Sequence, residues 1–170
     1  GAWSRDGRRM WIVARRKDHP RLQLFPVDLA TRKLLEPIAG SDGLTGPLAI
    51  SPDDQWIAAP GADSAVTVYP VKRGEPVKIS SVQADVSPQP AGWTSTGELW
   101  IVLRGATPPR LVRVHFPGGK ITRSIDLDLR QLGGGEITDA RITPDESLLA
   151  VEYMDFRGRL ELVKGIPADR

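Results

Sequence analysis

An all-β fold of four repeated blades, a β-propeller, is what this sequence predicts, on three observations. The first is the phrase Ala140-Arg141-Ile142-Thr143-Pro144-Asp145-Glu146-Ser147-Leu148-Leu149-Ala150-Val151, in which an apolar strand end meets a tight polar turn and a second apolar strand leaves it. Pro and Asp inside such a turn mark a β-hairpin. The second is that the phrase recurs as Trp3-Ser4-Arg5-Asp6-Gly7, Ile50-Ser51-Pro52-Asp53-Asp54 and Trp93-Thr94-Ser95-Thr96-Gly97. The third is its period: the hydroxyl residues Ser4, Ser51, Thr94 and Thr143 are spaced by 47, 43 and 49 residues. Repeats of about 40 to 50 residues holding several strands each are propeller blades, because a helical repeat needs a 3.6-residue periodicity that is missing here.

Each blade follows from its own apolar runs and turn residues. The first (1–38) reads as strands over 2–4, 10–14, 22–28 and 33–38, with Leu22 and Leu24 on one face, Gln23 and Phe25 on the other, and a turn at 28–31. Gly40-Ser41-Asp42-Gly43 links it to the second blade (44–79), with strands over 44–50, 56–59, 65–71 and 77–79; Val66 and Val68 share a face. The third (89–126) has strands over 89–94, 98–103, 111–116 and 121–126, with Pro117-Gly118-Gly119 as a hairpin turn. The fourth (138–166) has strands over 138–143, 148–153 and 159–164, then only Pro167-Ala168-Asp169-Arg170, so it reads as one strand short. The chain opens inside a strand at Gly1-Ala2-Trp3 and reads as a piece of something longer.

At 40% hydrophobic and 26% charged residues the composition is that of an ordinary globular chain. No apolar run reaches 18 residues and no basic-then-apolar leader opens the chain, so neither membrane insertion nor a signal peptide of its own is expected. The absence of cysteine excludes disulfides, thiolate metal sites and a Cys nucleophile.

The four hairpins resemble the bacterial WD-like repeats of TolB-type propellers, whose signature is an apolar residue, Ser, Pro, Asp, Gly and an apolar strand. The phrases at 50–54 and 142–146 fit it closely, with an acidic residue where Gly is usual. The phrase at 3–7 lacks the Pro, and that at 93–97 lacks Pro and Asp. Val27-Asp28-Leu29-Ala30-Thr31 resembles the family's strand ending, and 141–166 resembles the closing repeat of large propellers that follow kinase or DNA-binding domains in bacterial signalling proteins. The resemblance implies rings of six to eight blades, so four make part of a ring.

The candidate chemistry is weighed against turn and core roles. Asp6, the adjacent Asp53 and Asp54, and Asp145 sit in three different hairpins, where Asp is wanted to bond the turn backbone, and no calcium-loop spacing occurs. His19 and His115 have no neighbouring His or metal-spaced acid, and no Gly-x-Ser-x-Gly elbow accompanies them. Gly133-Gly134-Gly135 lacks the Lys-Ser/Thr of a phosphate loop and reads as an inter-blade link. Trp3, Trp11, Trp56, Trp93 and Trp100 read as core aromatics. The sequence assigns no catalytic, cofactor-binding or metal residue and implies no cofactor.

Arg5, Arg8, Arg9, Arg15, Arg16, Lys17 and Arg21 form the densest basic stretch. By region, 1–38 carries +5, 39–90 carries −3, 91–125 carries +4 and 126–170 carries −4. Alternating sign favours pairing between blades over a nucleic-acid surface, which concentrates positive charge on one face. The opposite charges of the first and last blades also suit two copies joined head to tail, a homodimer closing an eight-bladed ring. The resemblance implies a non-catalytic binding or sensory module in a bacterial signalling or scaffolding role, outside the cytoplasm, taking a protein partner or small ligand at its loops or central channel. The rival is a propeller-based hydrolase or lyase with polar residues converging on the channel mouth. A purely structural piece completing its parent's ring is a third reading.

Overall fold

A computed structural model describes residues 1–82, 84–128 and 136–154 of the chain. Its strands are β1 (Ala2–Trp3), β2 (Arg9–Ala14), β3 (Gln23–Asp28), β4 (Lys33–Leu34), β5 (Ala49–Ile50), β6 (Trp56–Pro60), β7 (Val66–Pro70), β8 (Val77–Lys78), β9 (Pro88–Trp93), β10 (Leu99–Leu103), β11 (Arg110–Val114), β12 (Ile121–Asp126), β13 (Glu136–Ile142) and β14 (Leu149–Met154). They form three four-stranded antiparallel sheets, β1 to β4, β5 to β8 and β9 to β12, and the pair β13-β14. A short 3₁₀ turn at Ala84–Val86 was not expected from the sequence. The strand expected at 159–164, the link at 133–135 and the ending after 166 lie outside the described residues. No helix among the described residues is long and apolar enough to cross a membrane.

One hydrogen-bond scheme builds all four hairpins, and it explains the repeated phrase. The N–H groups of Arg9, Trp56, Glu98 and Leu148 donate to the hydroxyls of Ser4, Ser51, Thr94 and Thr143 at 2.9, 2.9, 3.0 and 3.1 Å. The hydroxyls of Ser4, Ser51 and Thr143 in turn donate to the carboxylates of Asp6, Asp53 and Asp145, and Thr94 meets the Thr96 hydroxyl instead. Those carboxylates also accept the N–H groups of Arg8, Gln55 and Ser147. The fourth turn residue, Gly7, Asp54, Gly97 or Glu146, takes a left-handed φ of 67°, 56°, 86° or 59°. This is why the motif prefers Gly there, and why Asp54 and Glu146 are exceptions that need a reason.

Bonding to ionised oxygens depresses the turn carboxyls. The Thr143 hydroxyl, with the Ser147 N–H and hydroxyl, holds Asp145 at about 2 against an ordinary 3.8. Asp6 is lowered by the Arg8 N–H and the Ser4 hydroxyl. At Asp53 burial pushes upward, but the Ser51 hydroxyl and the Gln55 N–H outweigh it. A carboxyl depressed on folding stabilises the fold above its ordinary value, and that stability is lost as pH falls through the folded value. Asp145→Asn is therefore expected to flatten the acid limb of the stability curve between pH 3.8 and about 2, read by urea unfolding across that range.

Successive sheets pack face to face, and strand alternation divides the second and third sheets each between two cores. Trp11, Leu24, Leu44, Ile57, Ala59 and Tyr69 fill the space between the first and second sheets. Ala58, Val66, Val68, Trp93, Leu99 and Ile101 fill that between the second and third. Trp100, Val102, Leu111, Ile137 and Ala140 fill that between the third and the β13-β14 pair. In β10, Leu99 and Ile101 thus point one way and Trp100 and Val102 the other, all buried.

Several expectations are corrected. Leu24 and Phe25 are both fully buried while Leu22, just before β3 begins at Gln23, is exposed; Leu24 faces the core against the second sheet, and the Arg16 guanidinium lies 5.4 Å over the Phe25 ring on the other face. The strand expected at 44–50 is reduced to Ala49–Ile50 plus an isolated bridge between Leu44 and Gly61; Gly46 and Pro47 interrupt it, since Pro has no N–H for the ladder. The strand expected at 33–38 stops at Leu34, before Pro37. Trp11, Trp93 and Trp100 are core residues as expected, but Trp3 is 60% exposed. Among the described residues most ion pairs are made within one blade, as Arg16–Glu36, Lys78–Asp63, Arg110–Asp126 and Arg113–Glu98; Arg113–Glu146 crosses between blades. Charge alternation along the chain is thus mostly absorbed locally.

Candidate functional site

The first strands of successive sheets, β1, β5, β9 and β13, abut one another and form the axial side of the molecule. Between them runs a groove of about 370 Å³, walled by Ala2 and Trp3, Leu48 and Ala49, Ala91 and Gly92, and Arg141 and Ile142. Gly92 makes the close approach of β9 to β13 possible: a Cβ there would lie 2.7 Å from the Ile142 carbonyl oxygen, and its φ is +155°. It also sits where the β9-β10 register shifts, a bulge that tightens the strand against its neighbour. Arg141 spans the seam: its Nη1 donates to the carbonyls of Leu48 at 3.2 Å and Pro90 at 3.4 Å, and its Nη2 pairs with Asp139 at 3.1 Å. Trp3 stands at the groove's edge with most of its indole in solvent.

The hairpins share one end of the molecule, and their fourth residues decide how the seams close there. Asp54, in the second hairpin, accepts the Arg5 N–H of the first with both oxygens, at 3.1 and 3.0 Å. Glu146, in the fourth, accepts the indole N–H of Trp100 at 2.7 Å and the Arg113 guanidinium at 3.1 Å, both from the third sheet. This is the reason for the two acidic exceptions: each gives up the easy left-handed glycine for a side chain that latches the preceding blade. Glu146→Ala is expected to cost about 1–3 kcal/mol by orphaning the Trp100 N–H. Glu146→Gly relieves the backbone, so it should cost less, and paired denaturant melts of the two variants would measure the strain.

The seam between the second and third sheets differs. Pro52 and Gly97 line the same space here; Pro52 has no N–H to offer, and a Cβ built on Gly97 meets nothing within 4 Å. The seam is joined deeper down by the Trp93 indole, which donates to the Ala49 carbonyl at 3.0 Å. Above that bond a cleft of about 760 Å³ opens, with Arg5, Pro52, Trp56, Trp93, Gly97 and Phe116 among its walls. Phe116 packs edge-on against Trp56 and Trp93, with ring centroids 5.0 and 5.4 Å away.

The residues singled out from the sequence are not gathered into one site. Asp6, Asp53 and Asp145 are engaged in their own turns and Asp54 in its latch. His19 lies in the β2–β3 loop, bonded to the Arg21 carbonyl and 3.4 Å from Asp42, whereas His115 is exposed at the β11–β12 turn. The basic stretch is divided by β2: Arg5, Arg8 and Arg9 lie at its hairpin end, and Arg15, Arg16, Lys17 and Arg21 at the other. Among the described residues no group of three or more His, Asp or Glu is placed to hold a metal. Sequence reasoning missed the part played by Arg141, Gly92 and Pro52; the missing Pro-Asp signature at 93–97 was the one signal that the third hairpin differed.

No curated protein matches the sequence. Among solved structures the chain is similar in fold to TolB from Acinetobacter baumannii, with a TM-score of 0.68 and 17% identity over 88% of this chain and 36% of that one. It is also similar to the Cps50 (Swd1) β-propeller domain of Myceliophteria thermophila, at 0.64 and 19% over 91% of this chain and 48% of that one. A third likeness is to hydrazine synthase from Kuenenia stuttgartiensis, at 0.57 and 20% over 88% and 40%. Identities this low speak for the fold alone, and the chain spans less than half the length of each. The β-propeller expected from the repeats is thus the fold, of the TolB-like and WD-like kind. A family model described as the lipoprotein LpqB β-propeller domain matches residues 23–151, most of the chain, and the chain belongs to that family.

Proposed function

We propose that this propeller is a non-catalytic binding module, sensory or scaffolding, that holds a protein partner along its axial groove. The observation that carries the reading is Trp3. A large aromatic 60% exposed at the rim of a groove walled by apolar side chains and main chain is what a partner anchors on, and nothing among the described residues covers it. A photo-crosslinking amino acid at position 3 of the intact protein in its native cells is expected to give a discrete adduct that is not seen from position 34 on the outer strand β4. Equal labelling from both positions would overturn it. The rival reading, a hydrolase or lyase at the channel mouth, predicts turnover on ester, peptide or glycoside panels.

The family's description as a lipoprotein domain supports a place outside the cytoplasm, and digestion by protease added to intact spheroplasts tests it. Ring closure by two copies is proposed on the opposite charges of the first and last blades. Light scattering of this chain should then read twice 18.6 kDa, and a monomer at micromolar concentration contradicts it.

A further inference from the structure

The hairpin-face cleft between the second and third sheets lies apart from the axial groove and has its own logic. At the seams on either side an acidic fourth turn residue crosses to the preceding blade, Asp54 to the Arg5 N–H and Glu146 to Trp100 and Arg113. Here Gly97 supplies no side chain and Pro52 no donor, so the space that a latch occupies elsewhere stays open. Its wall is aromatic, with Trp56 and Phe116 both partly exposed. Its lining holds one cation, Arg5, and one carboxylate, Asp53, and the two are differently engaged. The Arg5 guanidinium is exposed and enters no ion pair among the described residues. Asp53, the carboxylate in the lining, is already bonded by the Ser51 hydroxyl and the Gln55 N–H.

We propose that this cleft is a second binding site, taking an acidic peptide segment that seats a proline or aromatic side chain against Trp56 and Phe116 while a flanking carboxylate meets Arg5. Flat aromatic walls suit proline and aromatic side chains because these present rigid apolar faces that lose little conformational entropy on docking. A guanidinium at the rim is well suited to a carboxylate, which it can meet with two parallel N–H bonds. The peptide's acidic group stands in for the latch carboxylate missing at this seam.

The test is fluorescence anisotropy of the intact protein with a labelled peptide, acetyl-Glu-Pro-Phe-Glu-amide, and two controls, one with Lys for Glu and one with Ala for Pro and Phe. The acidic aromatic peptide is expected to bind about tenfold more tightly than either control. Trp56→Ala should weaken it about tenfold. Since that change also touches the core, Arg5→Gln is the second variant. It leaves the main-chain N–H to Asp54 intact and should cost about fivefold and reduce the salt dependence. Trp3→Ala, in the axial groove, should leave peptide affinity unchanged, so this site and the axial one fail or stand separately. Lack of binding up to about 1 mM, or indifference of binding to both peptide charge and Arg5→Gln, would overturn the proposal.

Discussion

Trp93→Ala is expected to lower the unfolding free energy by about 3–5 kcal/mol, the largest effect of any single change considered. The indole is 3% exposed in the core between the second and third sheets. It packs against the Phe116 edge at 5.4 Å and 88°, and it donates across the seam to the Ala49 carbonyl. With no hairpin latch at this seam, that bond and the surrounding core carry the junction. Trp93→Phe keeps most of the apolar area but removes the donor, so it should lose about 1–3 kcal/mol. Urea unfolding reads both as shifts of the midpoint with an unchanged slope. A loss under about 1 kcal/mol for the alanine variant would mean that the seam does not depend on this residue.

Gly92→Ala comes next, at about 2–4 kcal/mol, a large cost for one methyl group. The added Cβ would meet the Ile142 carbonyl oxygen at 2.7 Å, and that oxygen belongs to main chain on the facing strand, which cannot rotate aside. The backbone angle of +155° adds strain for any residue with a side chain. The contrast is Gly97→Ala, where nothing lies within 4 Å and only the left-handed φ is penalised; it should cost about 1 kcal/mol. Thermal unfolding of the two variants side by side separates crowding from backbone strain. Similar losses at both positions would show that β9 and β13 are free to part.

The hairpins were legible because their information is local. Ser4, Ser51, Thr94 and Thr143 bond within five residues of themselves, so the turn chemistry and the repeat period are written in consecutive positions. Strand ends were less legible: 44–50 is apolar enough for a strand, yet Pro47 and the approach of Leu44 to Gly61 break it into a bridge and a two-residue strand. The exposure of Trp3 was not legible either, since an aromatic beside a hairpin reads as core until the neighbouring strands are placed.

By itself, then, the sequence determined an all-β propeller of four repeats, the position of each hairpin, and the structural employment of Asp6, Asp53 and Asp145. Tertiary structure alone decided the rest: that Asp54 and Glu146 are latches between blades, that Arg141 spans the axial seam, and that the pair Pro52 and Gly97 leaves a cleft. The physical reason is range. A turn is closed by groups two to five residues apart, whereas Arg5 and Asp54 are 49 residues apart, Trp100 and Glu146 46, and Arg141 and Leu48 93. Those partners meet only because sheets stack face to face about one axis, and the meeting depends on the packing of every blade between them.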